Sequence, residues 1–137
     1  MRIWIDAAAP EASARIFGLS LVERIERLTR RIPSAKVTVD RRPGAAGRRL
    51  KEFAESDTDP VLAVDGAGVF DNRLLPFLAG REGTVAVIGG EGTNRSAALR
   101  LSTPADIAAV PDEAATMADV ASSTLEAGPA RDLDPSE

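Results

Sequence analysis

The chain has 137 residues, 44% of them hydrophobic and 28% charged, with a net charge of -4; that is the size and balance of one globular domain with one core. Cysteine, histidine and tyrosine are absent, which excludes disulfide frameworks, thiolate zinc sites, cysteine nucleophiles and imidazole chemistry. Carboxylates, lysine and arginine remain, so any metal site uses oxygen ligands and favours magnesium, manganese or calcium.

Arg2-Ile3-Trp4-Ile5-Asp6 reads as a buried first strand ending in a carboxylate. Ser20 and Glu23 have capping-box spacing, and Leu21, Ile25, Leu28 and Ile32 recur at helical intervals, which predicts an amphipathic helix ending before Pro33. Lys36 to Val39 is the second strand, making a βαβ unit. Arg48 to Glu55 is expected as a short helix with Leu50, Phe53 and Ala54 inward, and Val61 to Val64 as a third strand ending at Asp65-Gly66. Asp71 caps a helix through Leu78 that stops at Gly80. Thr84 to Ile88 is the most apolar strand, Gly89 to Arg95 a glycine-rich turn, and Ala97 to Leu101 a further strand. Thr103-Pro104 has the form of a helix start, and Ala108 to Thr124 is alanine-rich and predicted helical.

Alternating strands and helices predict an α/β three-layer sandwich with a mostly parallel sheet and right-handed crossovers. The domain is expected over 1–124, with 125–137 as an acidic tail or linker holding Gly128, Pro129 and Pro135. Residues 1–104 carry 16 basic and 13 acidic side chains, residues 105–137 one and eight. A mildly basic body with an acidic tail, and 4% aromatics, speaks against nucleic-acid binding. No apolar run is long enough to cross a bilayer, so a cytoplasmic location is expected.

Ligands of parallel sheets sit beyond the carboxyl ends of the strands, here Asp6, Asp40, Asp65 and the turn from Gly89 to Arg95. Two converging aspartates would suit a magnesium-nucleotide site, although aspartate also ends strands simply as a turn former. Arg41-Arg42-Pro43-Gly44-Ala45-Ala46-Gly47-Arg48-Arg49 is the one concentrated basic segment. It is read either as a phosphate or headgroup site or as a solvated loop. Neither G-x-G-x-x-G nor G-x-x-x-x-G-K-[ST] occurs, and the loop from Asp6 to Glu11 has no glycine.

The strand at Ile3, the segment Arg15-Ile16-Phe17-Gly18-Leu19-Ser20-Leu21-Val22-Glu23-Arg24 and the stretch from Val61 to Leu75 resemble a sugar nucleotidyltransferase domain. Gly18, Leu21 and Arg24 match that family's P-x-x-G-x-P-L-x-x-R segment, with Ser20 in place of proline. Val64-Asp65-Gly66 matches its V-x-x-G-D strand end, with Ala67 where the metal aspartate stands. The resemblance implies a Rossmann-like nucleotidyltransferase type of reduced size. Asp6, Arg15, Asp65, Arg41 and Arg42 are its candidate nucleotide-binding residues, Asp65 and Asp71 its candidate metal ligands, and Mg2+ its cofactor if a nucleotide such as CTP or a CDP-alcohol binds. The glycine-rich signature is missing, so little transferase activity is expected.

Arg100-Leu101-Ser102, the alanine-rich helix and the segment from Ala130 to Pro135 are similar to the soluble part preceding the membrane domain of some bacterial CDP-alcohol phosphotransferases, whose D-x-x-D-G-x-x-A-R motif is absent here. That implies an excised domain at the inner face of a membrane, its partner being a membrane-embedded phosphotransferase domain of the same polypeptide. An active magnesium-dependent nucleotidyltransferase and a homodimeric interaction domain are the alternatives.

Overall fold

The computed structural model describes residues 1–9, 15–16, 19–33, 35–68, 73–81, 83–89, 96–126 and 131–132. In chain order the elements are β1 (Arg2–Asp6), β2 (Arg15–Ile16), β3 (Leu19–Ser20), α1 (Leu21–Thr29), β4 (Lys36–Asp40), α2 (Ala46–Ala54), β5 (Val61–Asp65), α3 (Leu74–Gly80), β6 (Val85–Gly89), β7 (Ser96–Leu101), α4 (Pro104–Ala108), α5 (Met117–Glu126) and β8 (Arg131–Asp132). One mixed sheet has the order β4-β1-β5-β7-β6-β8, and β2 and β3 form a separate antiparallel pair. Among the described residues of the large sheet, β7 alone runs against its neighbours.

Side chains alternate between the two faces of each strand, and this divides the core in two. Ile3, Ile5, Leu62, Val64, Val85 and Val87 pack under α1 and α3. Trp4, Val61, Ala63, Ala86, Leu99 and Leu101 pack under α2, α4 and α5. Near-continuous apolar strands are what a sheet covered on both faces requires, and each fully buried Leu, Ile or Val contributes about 1.5–3 kcal/mol. Helices therefore lie on both sides of an α/β sheet. The connections β1–α1–β4 and β4–α2–β5 cross in opposite directions on opposite faces and so share one hand. The connection β5–α3–β6 advances in the second direction with its helix on the face of the first, so its hand is reversed. A uniform hand was expected; the insertion of β7 between β5 and β6 accompanies this departure.

Local chemistry explains the ends of the helices. Ser20 Oγ accepts from the Glu23 N–H at 3.2 Å as predicted. The helix stops at Thr29, one turn before Ile32, and the Thr29 hydroxyl donates to the Glu26 carbonyl at 2.9 Å, a back-bond that competes with helix continuation. Thr103 Oγ1 accepts from Asp106 N–H at the start of α4. The helix expected over 108–124 is interrupted: α4 ends at Ala108, Pro111 lies in the link, and Thr116 Oγ1 caps a new start by accepting from Asp119 N–H. Leu125 packs against the core, and Arg131–Asp132 pairs with β6. Asp71 and residues 90–95 of the glycine-rich turn lie outside the described residues.

Candidate functional site

The strand order reverses at β1: the chain leaves it to build β4 on one side and returns to build β5 on the other. Beyond the carboxyl ends of strands at such a switch point is where open α/β sheets place their ligands. Asp6 is in register with both Asp40 and Asp65, so three adjacent parallel strands end in carboxylates, and alternation puts all three on the face of Trp4, toward α2.

Two of the three converge on one cation. Arg49 of α2 is 4% exposed, and its Nη2 lies 2.8 Å from Asp6 Oδ1 and its Nη1 3.7 Å from Asp40 Oδ1. Its Nε donates to the Gly44 carbonyl at 3.0 Å, and its guanidinium sits 5.5 Å from the centre of the Trp4 ring. Arg42 grips Asp40 as a fork, Nε to Oδ1 at 3.1 Å and Nη2 to Oδ2 at 3.0 Å, with its backbone N–H also on Oδ1 at 3.0 Å. Trp4 Nε1 donates to Asp40 Oδ2 at 3.2 Å, and Arg42 Nη1 reaches Glu52 at 3.2 Å. Burial alone would push the Asp40 pKa up. Hydrogen bonds from the Arg42 side chain and backbone and from Trp4, with the Arg42 charge, outweigh it and hold the carboxyl below its ordinary 3.8. The same partnership raises the Arg42 pKa above its ordinary value, chiefly through the hydrogen bond to Asp40.

The backbone closes the remaining space. The Ala7 N–H donates to Asp40 O at 2.8 Å and the Gly66 N–H to Asp6 O at 2.7 Å, stitching the three strand ends together. A Cβ on Gly66 would stand 2.5 Å from Asp6 O, so only glycine lets β5 turn there. At the start of α2, Ala46 N–H donates to Ala115 O at 3.2 Å and Gly47 N–H to Ala114 O at 2.9 Å. Two of the N–H groups with which a helix start could grip an anion are thus taken up by the link between α4 and α5.

Of the residues expected to bind nucleotide or metal, Asp6 and Arg42 belong to this cluster. Arg41 is exposed and makes no ion pair among the described residues. Asp65 ends the neighbouring strand, its Oδ1 accepting the Ala67 N–H at 2.9 Å. Arg15 is placed on β2, opposite Ser20. Among the described residues no three acidic side chains are grouped to hold a metal ion. Two shallow clefts flank the cluster, one of about 480 Å³ bordered by Arg42, Arg48, Arg49, Glu52, Asp112 and Glu113. The other, of about 460 Å³, runs between β4 and α2 past Thr38, Arg41 and Phe53. The first carries as many carboxylates as guanidiniums and so presents no concentrated positive field to a phosphate.

Arg49 is the residue that sequence reasoning passed over. Starting the helix at Ala46 instead of Arg48 makes Ala46, Arg49, Leu50, Phe53 and Ala54 one inward stripe, and an arginine on such a stripe signals a buried ion pair. Compared with known proteins, the chain matches no family model and no curated protein.

Proposed function

We propose that this chain is a degenerate nucleotidyltransferase-like module of the Rossmann-like type, reduced in size, that has kept the ligand position of its fold and lost the chemistry. The observation that carries this reading is the buried Arg49 between Asp6 and Asp40. Transfer of a phosphoryl or nucleotidyl group needs free carboxylates for Mg2+ and backbone N–H groups or cations for the phosphates. Here Asp6 and Asp40 are neutralised by arginines and the first N–H groups of α2 are bonded to Ala114 and Ala115. The resemblance of the stretch from Arg100 to Pro135 to the soluble part of CDP-alcohol phosphotransferases supports an accessory or regulatory role beside such a membrane enzyme, at the inner face of the membrane.

The test is a thermal-shift titration of CTP, CDP and other nucleotides with and without magnesium. A ligand at a hundred times its Kd stabilises the native state by about 2.7 kcal/mol, which a melting curve resolves. The expected result is no magnesium-dependent rise and no nucleotide turnover. A magnesium-dependent rise abolished by Asp65→Ala overturns the reading in favour of an active transferase that uses Asp65 and Mg2+.

A further inference from the structure

The edge of the sheet at β4 carries an inference that stands apart from nucleotide binding. β4 pairs with β1 on one side and, among the described residues, with no strand on the other. Lys36 N–H donates to Met1 O and Asp40 O accepts from Ala7 N–H, so residues 36, 38 and 40 turn their backbone groups toward β1. The N–H and C=O of Val37 and Val39 therefore point outward. Edge strands are normally protected by charged side chains along the edge, proline, a bulge, extreme shortness or a covering helix or loop. This one is a regular five-residue strand, Lys36-Val37-Thr38-Val39-Asp40, with charges only at its two ends.

We propose that this edge is a self-association site: β4 pairs antiparallel with β4 of a second copy about a twofold axis at Thr38, making one continuous sheet through the dimer. Outward-facing backbone groups must meet each other, which sets Val37 against Val39 of the second copy, Thr38 against Thr38, and Lys36 against Asp40. This register is charge-complementary. The carboxylates at that end of the strand, Asp6, Asp40 and Glu52, stand with the guanidiniums of Arg41, Arg42 and Arg49. Lys36 is exposed, and within its own chain its charge bears on Asp57 without a close ion pair. By symmetry the dimer holds two such oppositions of Lys36 and Asp40. Shifting the register by two residues toward the C-terminus instead sets Lys36 against Arg42, a like-charge contact. Val37 and Val39, half-buried on the α1 side, gain cover in the dimer, and Thr38 faces its own copy, a favourable cross-strand pair.

The chain contains no cysteine, which gives the register a direct test. Thr38 is exposed, and as a non-hydrogen-bonded pair its two Cα atoms stand about 4.5 Å apart, within disulfide reach. Thr38→Cys oxidised with glutathione disulfide under native conditions is expected to give a covalent dimer. Lys36→Cys, whose two copies lie four residues out of register, is expected not to. In sedimentation the unmodified chain shifts from monomer to dimer with concentration, and Lys36→Glu weakens that dimer about tenfold through two reversed charge pairs without lowering the melting temperature of the monomer. A chain that stays monomeric up to millimolar concentration, or a Thr38→Cys variant that cross-links no faster than Lys36→Cys, overturns the proposal.

Discussion

Replacing Arg49 with methionine tests the account of the strand-end cluster, because it keeps most of the side-chain volume and removes only the charge and its hydrogen bonds. The change deletes the contact at 2.8 Å to Asp6, the one at 3.7 Å to Asp40 and the bond to Gly44 O. It leaves two carboxylates, 12% and 5% exposed, facing the place where a cation had been. Breaking a buried pair by removing one partner costs about 3–5 kcal/mol, which for a domain of this size is a fall of about 10–15 °C in melting temperature. The stability contributed by Asp40 has a predictable pH dependence. The folded pKa of Asp40 lies below its ordinary 3.8, so its ionised form stabilises the native state above that pH, and the contribution disappears as the pH falls through the folded value. That lowering comes from Arg42 and Trp4, not from Arg49, so wild type and Arg49→Met share this contribution and both lose it as the pH falls below about 4. Denaturant melts from pH 7 down to pH 3 read both quantities. A loss under about 1 kcal/mol at pH 7 refutes the claim that Arg49 balances two buried carboxylates.

Two further substitutions probe how the helices are held. A Cβ at Gly47 would stand 1.9 Å from Pro111 O, so Gly47→Ala must push α2 away from the α4–α5 link; the expected loss is about 1–3 kcal/mol, read as a lower urea midpoint at unchanged m-value. Thr103→Ala removes the hydroxyl that accepts from Asp106 N–H at 3.2 Å and is expected to cost about 0.5–2 kcal/mol. Thr103→Ser restores the difference in the same melt.

The elements that could be read from the chain are those whose signals are local. The apolar runs at Ile3, Val61 and Val85 became buried strands, and the oxygens of Ser20 and Thr103 cap helices as their spacing predicted. The order of the strands could not be read in the same way. Nothing in the stretch from Ser96 to Leu101 states that it inserts between β5 and β6 and runs against both, because that choice is made by distant partners such as Ala63 beside Leu99. The site was half legible for the same reason. Asp6, Asp40 and Asp65 announce themselves by ending apolar runs, whereas the arginine that neutralises two of them lies among three others in a basic segment. Only its place on the inward stripe of α2 distinguishes it.

The sheet order also governs the sequence of events in folding. β1 is the hub, with Ile3 beside Val37 on one side and Leu62 on the other, so its second edge has no partner until nearly half the chain is available. β5 in turn waits for β7, where Val61 meets Leu101. Pairings of such long span are slow to form, and they leave apolar edges open in the interval. A chain growing from its N-terminus can complete the β1–α1–β4 unit early, but it closes neither flank of the core until the strand from Ser96 to Leu101 has been made. Protease resistance on synthesis is accordingly expected late, after the strand from Ser96 to Leu101 has been made, which digestion of arrested chains of increasing length would read.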